Sequence, residues 1–123
     1  MQALTIQVNP QAQPAVYTPK LNYAFYLQTR DDKALAKNGQ DGFSTLVNGL
    51  LDENVDMIIA AYHHSLAWYK RNQPSATAVE EALETAMFND EKATDEAFDD
   101  ILKSLQANDF LARKLNEFIK SND

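Results

Sequence analysis

The sequence has no cysteine, only three glycines and a single tryptophan among 123 residues. Without thiols there are no disulfides, no thiolate metal sites and no cysteine nucleophile, so the fold must rest on its apolar core. The three glycines are too few and wrongly spaced to cradle a phosphate, and no Walker loop, dinucleotide fingerprint or G-x-S-x-G turn occurs. No apolar run approaches the roughly 18 residues of a membrane-spanning helix. The first residues, MQALTIQVNP, combine neither a basic leader nor a long apolar block, so no secretion signal and no membrane are expected. Clustered Lys and Arg, the footprint of phosphate-backbone binding, are also missing, which argues against nucleic acid.

What the chain does have is apolar periodicity and an uneven charge. Hydrophobic residues make up 45% and charged residues 24%, the balance of a folded globule rather than a disordered chain. At this length one domain is expected over residues 1–123, with 1–20 a β-ribbon and Pro/Gln-rich connection and 21–123 a helical body. Residues 1–71 carry six basic and six acidic side chains, and residues 72–123 carry five and twelve, so the whole net charge of −7 lies in the second part.

Leu4, Ile6 and Val8 alternate with polar neighbours as in a half-buried strand, and Ala15 to Thr18 supplies a second strand to pair with it. Such a ribbon is marginal alone and must lean on helices. A helical stripe begins at Leu21, Phe25 and Tyr26 and extends weakly to Ala36, where Lys37-Asn38-Gly39 closes it with Gly39 as the cap. Phe43, Leu46, Val47, Leu50 and Leu51 form a short helix containing Gly49, which a close helix contact or a bend would each explain.

Asn54 to Asn72 holds the longest apolar run, with Val55, Ile58, Ile59, Tyr62, Leu66 and Tyr69 at three- and four-residue steps. It reads as one central helix ended before Pro74. Thr77 to Glu80 fits a capping box, followed by an inner face of Val79, Leu83, Ala86 and Met87. Phe98, Ile101, Leu102 and Leu105 mark a helix starting near Thr94 or Asp95. The apolar phase slips at Asn108-Asp109, so a last helix, Asp109 to Lys120, starts there with one of those two as its cap. The expected fold is mainly α: a compact bundle of about six helices with a short N-terminal two-stranded β-ribbon.

Chemistry is sparse. His63-His64 are adjacent, about 100 degrees apart on a helix, and cannot share a metal that wants i, i+4 spacing; they read as amphipathic side chains at the margin of the stripe. Asp31, Asp32 and Asp41-Gly42 lack the spacing of a calcium loop and read as solvated charges. Between positions 80 and 100 nine carboxylates stand against Lys92 alone. Their default is a solvated face; the sharper expectation is that Glu80, Glu81 and Glu84 dock a basic partner. The last helix carries Phe110, Leu111, Leu115, Phe118 and Ile119, a stripe that either docks on the core or binds a partner helix. Phe110, Leu111, Leu115 and Phe118, with Glu80, Glu81 and Glu84, are therefore the expected partner-binding residues. No catalytic residue, cofactor or metal is expected.

The order of segments resembles the tail assembly chaperones of long-tailed, siphovirus-type phages of Gram-positive bacteria. Three stretches carry the resemblance: LTIQVN leading to LNYAFYLQTRDDK; GFSTLVNGLLDENVDMIIAAYHHSLAW followed by QPSATAVEEALE; and EAFDDILKSLQANDFLARKLNEFI, with its Phe-Asp-x-Ile-Leu-x-x-Leu run. The resemblance implies a non-enzymatic protein of the host cytoplasm, absent from the mature virion. Its implied client is the tape measure protein, held soluble until the tail tube polymerises around it, with the tail tube protein as a possible further partner. Many copies along one long client imply a homo-oligomer. The residues themselves also admit a different class, a small acidic regulatory or adaptor module that binds one folded protein partner.

Overall fold

The computed structural model describes residues 1–121, and the fold is mainly α. Strands β1 (Leu4–Ile6) and β2 (Ala15–Tyr17) pair antiparallel with Thr5 opposite Val16. Six α-helices follow: α1 (Tyr23–Arg30), α2 (Gly42–Leu51), α3 (Val55–His64), α4 (Ala76–Leu83), α5 (Glu91–Ala107) and α6 (Asp109–Ser121). The ribbon stands because Leu4 and Ile6 are buried and β1 leans on α4. Its partner strand contributes little to the core, since Ala15 and Val16 are exposed. Val8 and Thr18 lie outside the strands, and Val8 is exposed.

The expected central helix is central but shorter. Helix α3 packs on α1, α2, α4 and α5, and buries Met57, Ile58, Ala61, Tyr62 and His64. It ends at Ser65, and a 3-10 segment, Ala67–Asn72, takes over, so Asn54 to Asn72 is not one helix. The chain between β2 and α1 braces the break, taking up the Ser65 carbonyl that a continuing helix would use and holding the side chains that follow it. Lys20 N–H donates to the Ser65 carbonyl at 2.8 Å, and Trp68 Nε1–H donates to the Thr18 carbonyl at 2.9 Å. Tyr69 Oη accepts from Thr18 N–H at 2.9 Å. Tyr69 therefore belongs to this strap rather than to the α3 stripe, and Val55 at the other end is exposed.

Helix α1 stops at Arg30, short of Ala36, because Asp32 opens a local turn: its Oδ1 accepts from Ala34 N–H at 3.0 Å and Leu35 N–H at 3.2 Å. Gly39 is no helix cap. Asn38 and Gly39 both have positive φ (55° and 78°) inside a Lys37–Gln40 bridge, the requirement of a two-residue hairpin turn that Asn-Gly meets. At α4 the cap is Ser75, whose side chain accepts from Ala78 N–H, in place of Thr77.

A π turn over Glu84–Phe88 then shifts the phase, so Met87 is buried while Ala86 faces out. Helix α5 begins at Glu91, earlier than Thr94, with Asp90 accepting from Lys92 and Ala93 N–H. Its first turns are polar, so apolar spacing did not reveal them. Asn108 does cap α6: Oδ1 accepts from Leu111 N–H at 3.0 Å while Nδ2 donates to the Leu21 carbonyl at 3.0 Å.

Of the two explanations for Gly49, the close contact holds, for a Cβ there would run into the Met57 side chain. Gly42 is tighter still, since its Cβ would meet the Thr29 carbonyl oxygen across the α1–α2 junction.

Candidate interaction surface

Helix α6 divides its apolar residues between two roles. Leu111 and Leu115, one turn apart, point inward and are 0% and 2% exposed, so they complete the core against α5. Phe118 follows on the same row and is half-buried. Phe110 lies on the neighbouring row and is 38% exposed; Ile119 near the helix end is 41% exposed. Of the four α6 residues expected to meet a partner, two are thus core, one is partly core, and Phe110 stands at the surface.

Phe110 does not stand alone. Its ring meets Tyr23 edge-on at 5.4 Å and Tyr26 at 5.1 Å, and Tyr26 meets Phe43 at 5.1 Å. Tyr23 is 58% exposed. This aromatic row joins α1, α2 and α6, and edge-to-face pairs of this kind hold large rings in place at little entropic cost on binding. Lys114, one turn after Phe110, sets its ammonium 5.7 Å from the Tyr26 ring and 5.9 Å from the Phe110 ring, and 3.5 Å from Glu117. The surface is therefore an aromatic patch with a cation at its rim. Tyr23 had no separate signal in the sequence, because only tertiary packing sets it beside Phe110.

Glu80, Glu81 and Glu84 occupy a different surface. All three are exposed on α4 and the π turn that follows, and the six acidic residues from Asp90 to Asp100 are exposed as well. Glu81 borders a shallow groove between α4 and β1, beside Ala82 and Thr85. The seven expected residues do not form one site: the acidic ridge belongs to α4 and α5, the aromatic patch to α1 and α6.

A buried polar cluster lies elsewhere and escaped the sequence reading. His64 is 4% exposed, far from a stripe margin, with Nδ1 2.7 Å from Gln28 Oε1 and Nε2 2.9 Å from Asp32 Oδ2. Asp32 is thus not a solvated charge. Separations of 36 and 32 residues leave no local motif for this cluster. His63 beside it is half-buried, and burial, then the neighbouring His64, lowers its pKa, with Asp32 opposing. A histidine with a lowered folded pKa is protonated first in the unfolded chain, so this group costs stability as pH falls from the ordinary histidine range, about 6.5, toward its folded value. Urea unfolding at pH 7.5 and 5.5 should show His63→Gln losing less stability on acidification than the wild type; an equal loss in both would refute that assignment. Among the described residues no group of three His, Asp or Glu side chains could hold a metal, and no helix is long and apolar enough to cross a membrane.

Comparison with known proteins places residues 10–120 in the family model described as phage tail assembly chaperone protein, TAC. No curated protein and no solved structure matches the chain.

Proposed function

The chain belongs to the phage tail assembly chaperone family, and from that premise we propose that it binds the tape measure protein of a long-tailed phage and keeps it soluble until the tail tube closes around it. The observation that supports this reading is the exposed aromatic patch of Tyr23 and Phe110 on a chain whose acidic ridge lies on other helices. Apolar stripes of a long helical client would be covered by the patch, as in helix-in-groove recognition. The ridge, with nine carboxylates against Lys92 alone between positions 80 and 100, would keep the loaded complex in solution. No chemistry on the client is involved, and the protein acts in the host cytoplasm as a non-enzymatic holder, in several copies per client and as a homo-oligomer. The tail tube protein, which displaces it as the tail grows, is its further contact.

Tyr23 and Phe110, with the half-buried Phe118 beside them on α6, are the client contacts of this proposal, while Leu111 and Leu115 support α6 from beneath. Co-expression with the tape measure protein, followed by light scattering on the purified species, tests it. A soluble complex with several copies of this chain per client is the expected result; an insoluble client beside a free chain would overturn it. Glu80, Glu81 and Glu84 are assigned to steering and solubility, effects screened by salt. The triple replacement by glutamine should leave the fold intact and flatten the salt dependence of client association. An unchanged salt dependence would remove the ridge from the interaction.

A further inference from the structure

The hydrogen bonds around His64 determine how many protons its ring carries. A backbone carbonyl can only accept. His63 O receives Gln73 Nε2 at 2.8 Å, and that fixes which way the Gln73 amide points. The two glutamine amides then pair reciprocally: Gln28 Nε2 donates to Gln73 Oε1 at 2.9 Å, and Gln73 Nε2 donates to Gln28 Oε1 at 2.8 Å. Turning Gln28 over would set nitrogen against nitrogen and oxygen against oxygen. Gln28 Oε1 is therefore the atom that faces His64 Nδ1, so Nδ1 must donate.

On the other side of the ring, Nε2 faces Asp32 Oδ2 at 2.9 Å. The second oxygen of that carboxyl already accepts from the Ala34 and Leu35 amides, and hydrogen bonds from backbone donors favour the ionised form. Nε2 must donate as well. A neutral imidazole has one N–H, whereas this site calls for two.

We propose that His64 stands in the folded protein as an imidazolium ion, paired with Asp32 in a clasp that ties the end of α1 and the loop after it to α3 and the 3-10 segment. Asp32 faces the ring from the loop, and His63 faces it from α3 with ring centroids 4.9 Å apart. The remaining neighbours, Gln28 from α1 and Gln73 after the 3-10 segment, are uncharged. When His64 gives up a proton, one ring nitrogen becomes an acceptor facing an acceptor. The clasp then fails on the Asp32 side, the more exposed of the pair at 28% against 5%. Rising pH should therefore loosen the loop over residues 31–41.

Two-bond proton–nitrogen correlation spectra of the uniformly 15N-labelled protein read the ring directly. At pH 7 both His64 nitrogens should give signals of the protonated type, while His63 shows one bare nitrogen. Asp32→Asn keeps an oxygen for the Ala34 and Leu35 amides but offers Nε2 a donor, so His64 should lose one of its two ring protons at pH 7. A merely structural role for Asp32 would leave the nitrogen signals where they were. One bare nitrogen on wild-type His64 at pH 7, or two protonated nitrogens in folded Asp32→Asn, would overturn the proposal. Should Asp32→Asn not fold, amide exchange in the wild type decides. Corrected for intrinsic rates, Ala34 and Leu35 should exchange faster at pH 8.5 than at pH 6, and equal protection would overturn the clasp.

Discussion

Gly42→Ala should lower stability by about 3 kcal/mol, the upper range for forcing atoms into a packed junction. For a chain of this length that is a fall in Tm of roughly 10 °C. The first turn of α2 lies against the last turn of α1, and the added methyl carbon would meet the Thr29 carbonyl oxygen with the Asp32 carbonyl close behind. Backbone atoms cannot swing aside as a side chain can, so the two helices must separate. Separation also disturbs Asp32, whose carboxylate holds His64 from the adjoining loop.

Gly49→Ala is the control. There the obstacle is the Met57 side chain, a flexible group that can repack, and alanine in a helix interior recovers up to about 1 kcal/mol of propensity. Chemical denaturation should therefore separate the two variants clearly, with Gly49→Ala within about 1 kcal/mol of the wild type. Equal midpoints for both would show that the α1–α2 junction yields as easily as a methionine.

These two glycines also mark how far the sequence could be read. Helices α2, α3 and α6 were legible because each buries one row of apolar residues, and α6 also because Asn108 was among its expected caps; Asp41, read as a solvated charge, in fact caps α2 by accepting from Ser44 N–H. The ends of α1 and α3 went astray through a bond to a residue distant in sequence that outweighs local periodicity, whereas the α4 cap and the α5 start were missed among local polar residues. Lys20 and Thr18 reach across to end α3 and hold the 3-10 segment, though Leu66 and Tyr69 keep the apolar spacing of a helix. Asp32 ends α1 by turning to the backbone of its own loop and to His64. The Asn38-Gly39 turn was a further local signal, present in the sequence and misassigned to a helix end.

The interaction surface was half legible for a related reason. A stripe as wide as that of α6 must face two ways, and spacing alone does not say which row meets the core. Packing against α5 assigns Leu111 and Leu115 to the interior, and Tyr23, 87 positions before Phe110, supplies the ring that turns a lone exposed residue into a patch. The acidic residues were the opposite case. With no apolar residue competing for those positions, their exposure followed from charge alone.

That division of α6 gives a test that separates holding the client from holding the fold. Tyr23→Ser combined with Phe110→Ser removes two surface rings and should cost the fold less than a core truncation, because Tyr23 is 58% exposed and Phe110, 38% exposed, rests on the rings of Tyr23 and Tyr26 at the surface. An aromatic anchor at an interface is worth about 2 kcal/mol or more, so losing even one corresponds to roughly thirtyfold weaker client binding. On the proposed function, the double variant should remain folded, with a Tm within a few degrees of wild type, yet leave co-expressed tape measure protein in the pellet. Leu111→Ala should behave in reverse. It opens a cavity in the core at a cost of about 3 kcal/mol, but the fraction that stays folded should still bind client, because the exposed rings remain. If the double variant held the client in solution as well as wild type does, the aromatic patch would not be the docking face. If Leu111→Ala abolished binding while still fully folded, α6 would have to present its inner row to the client.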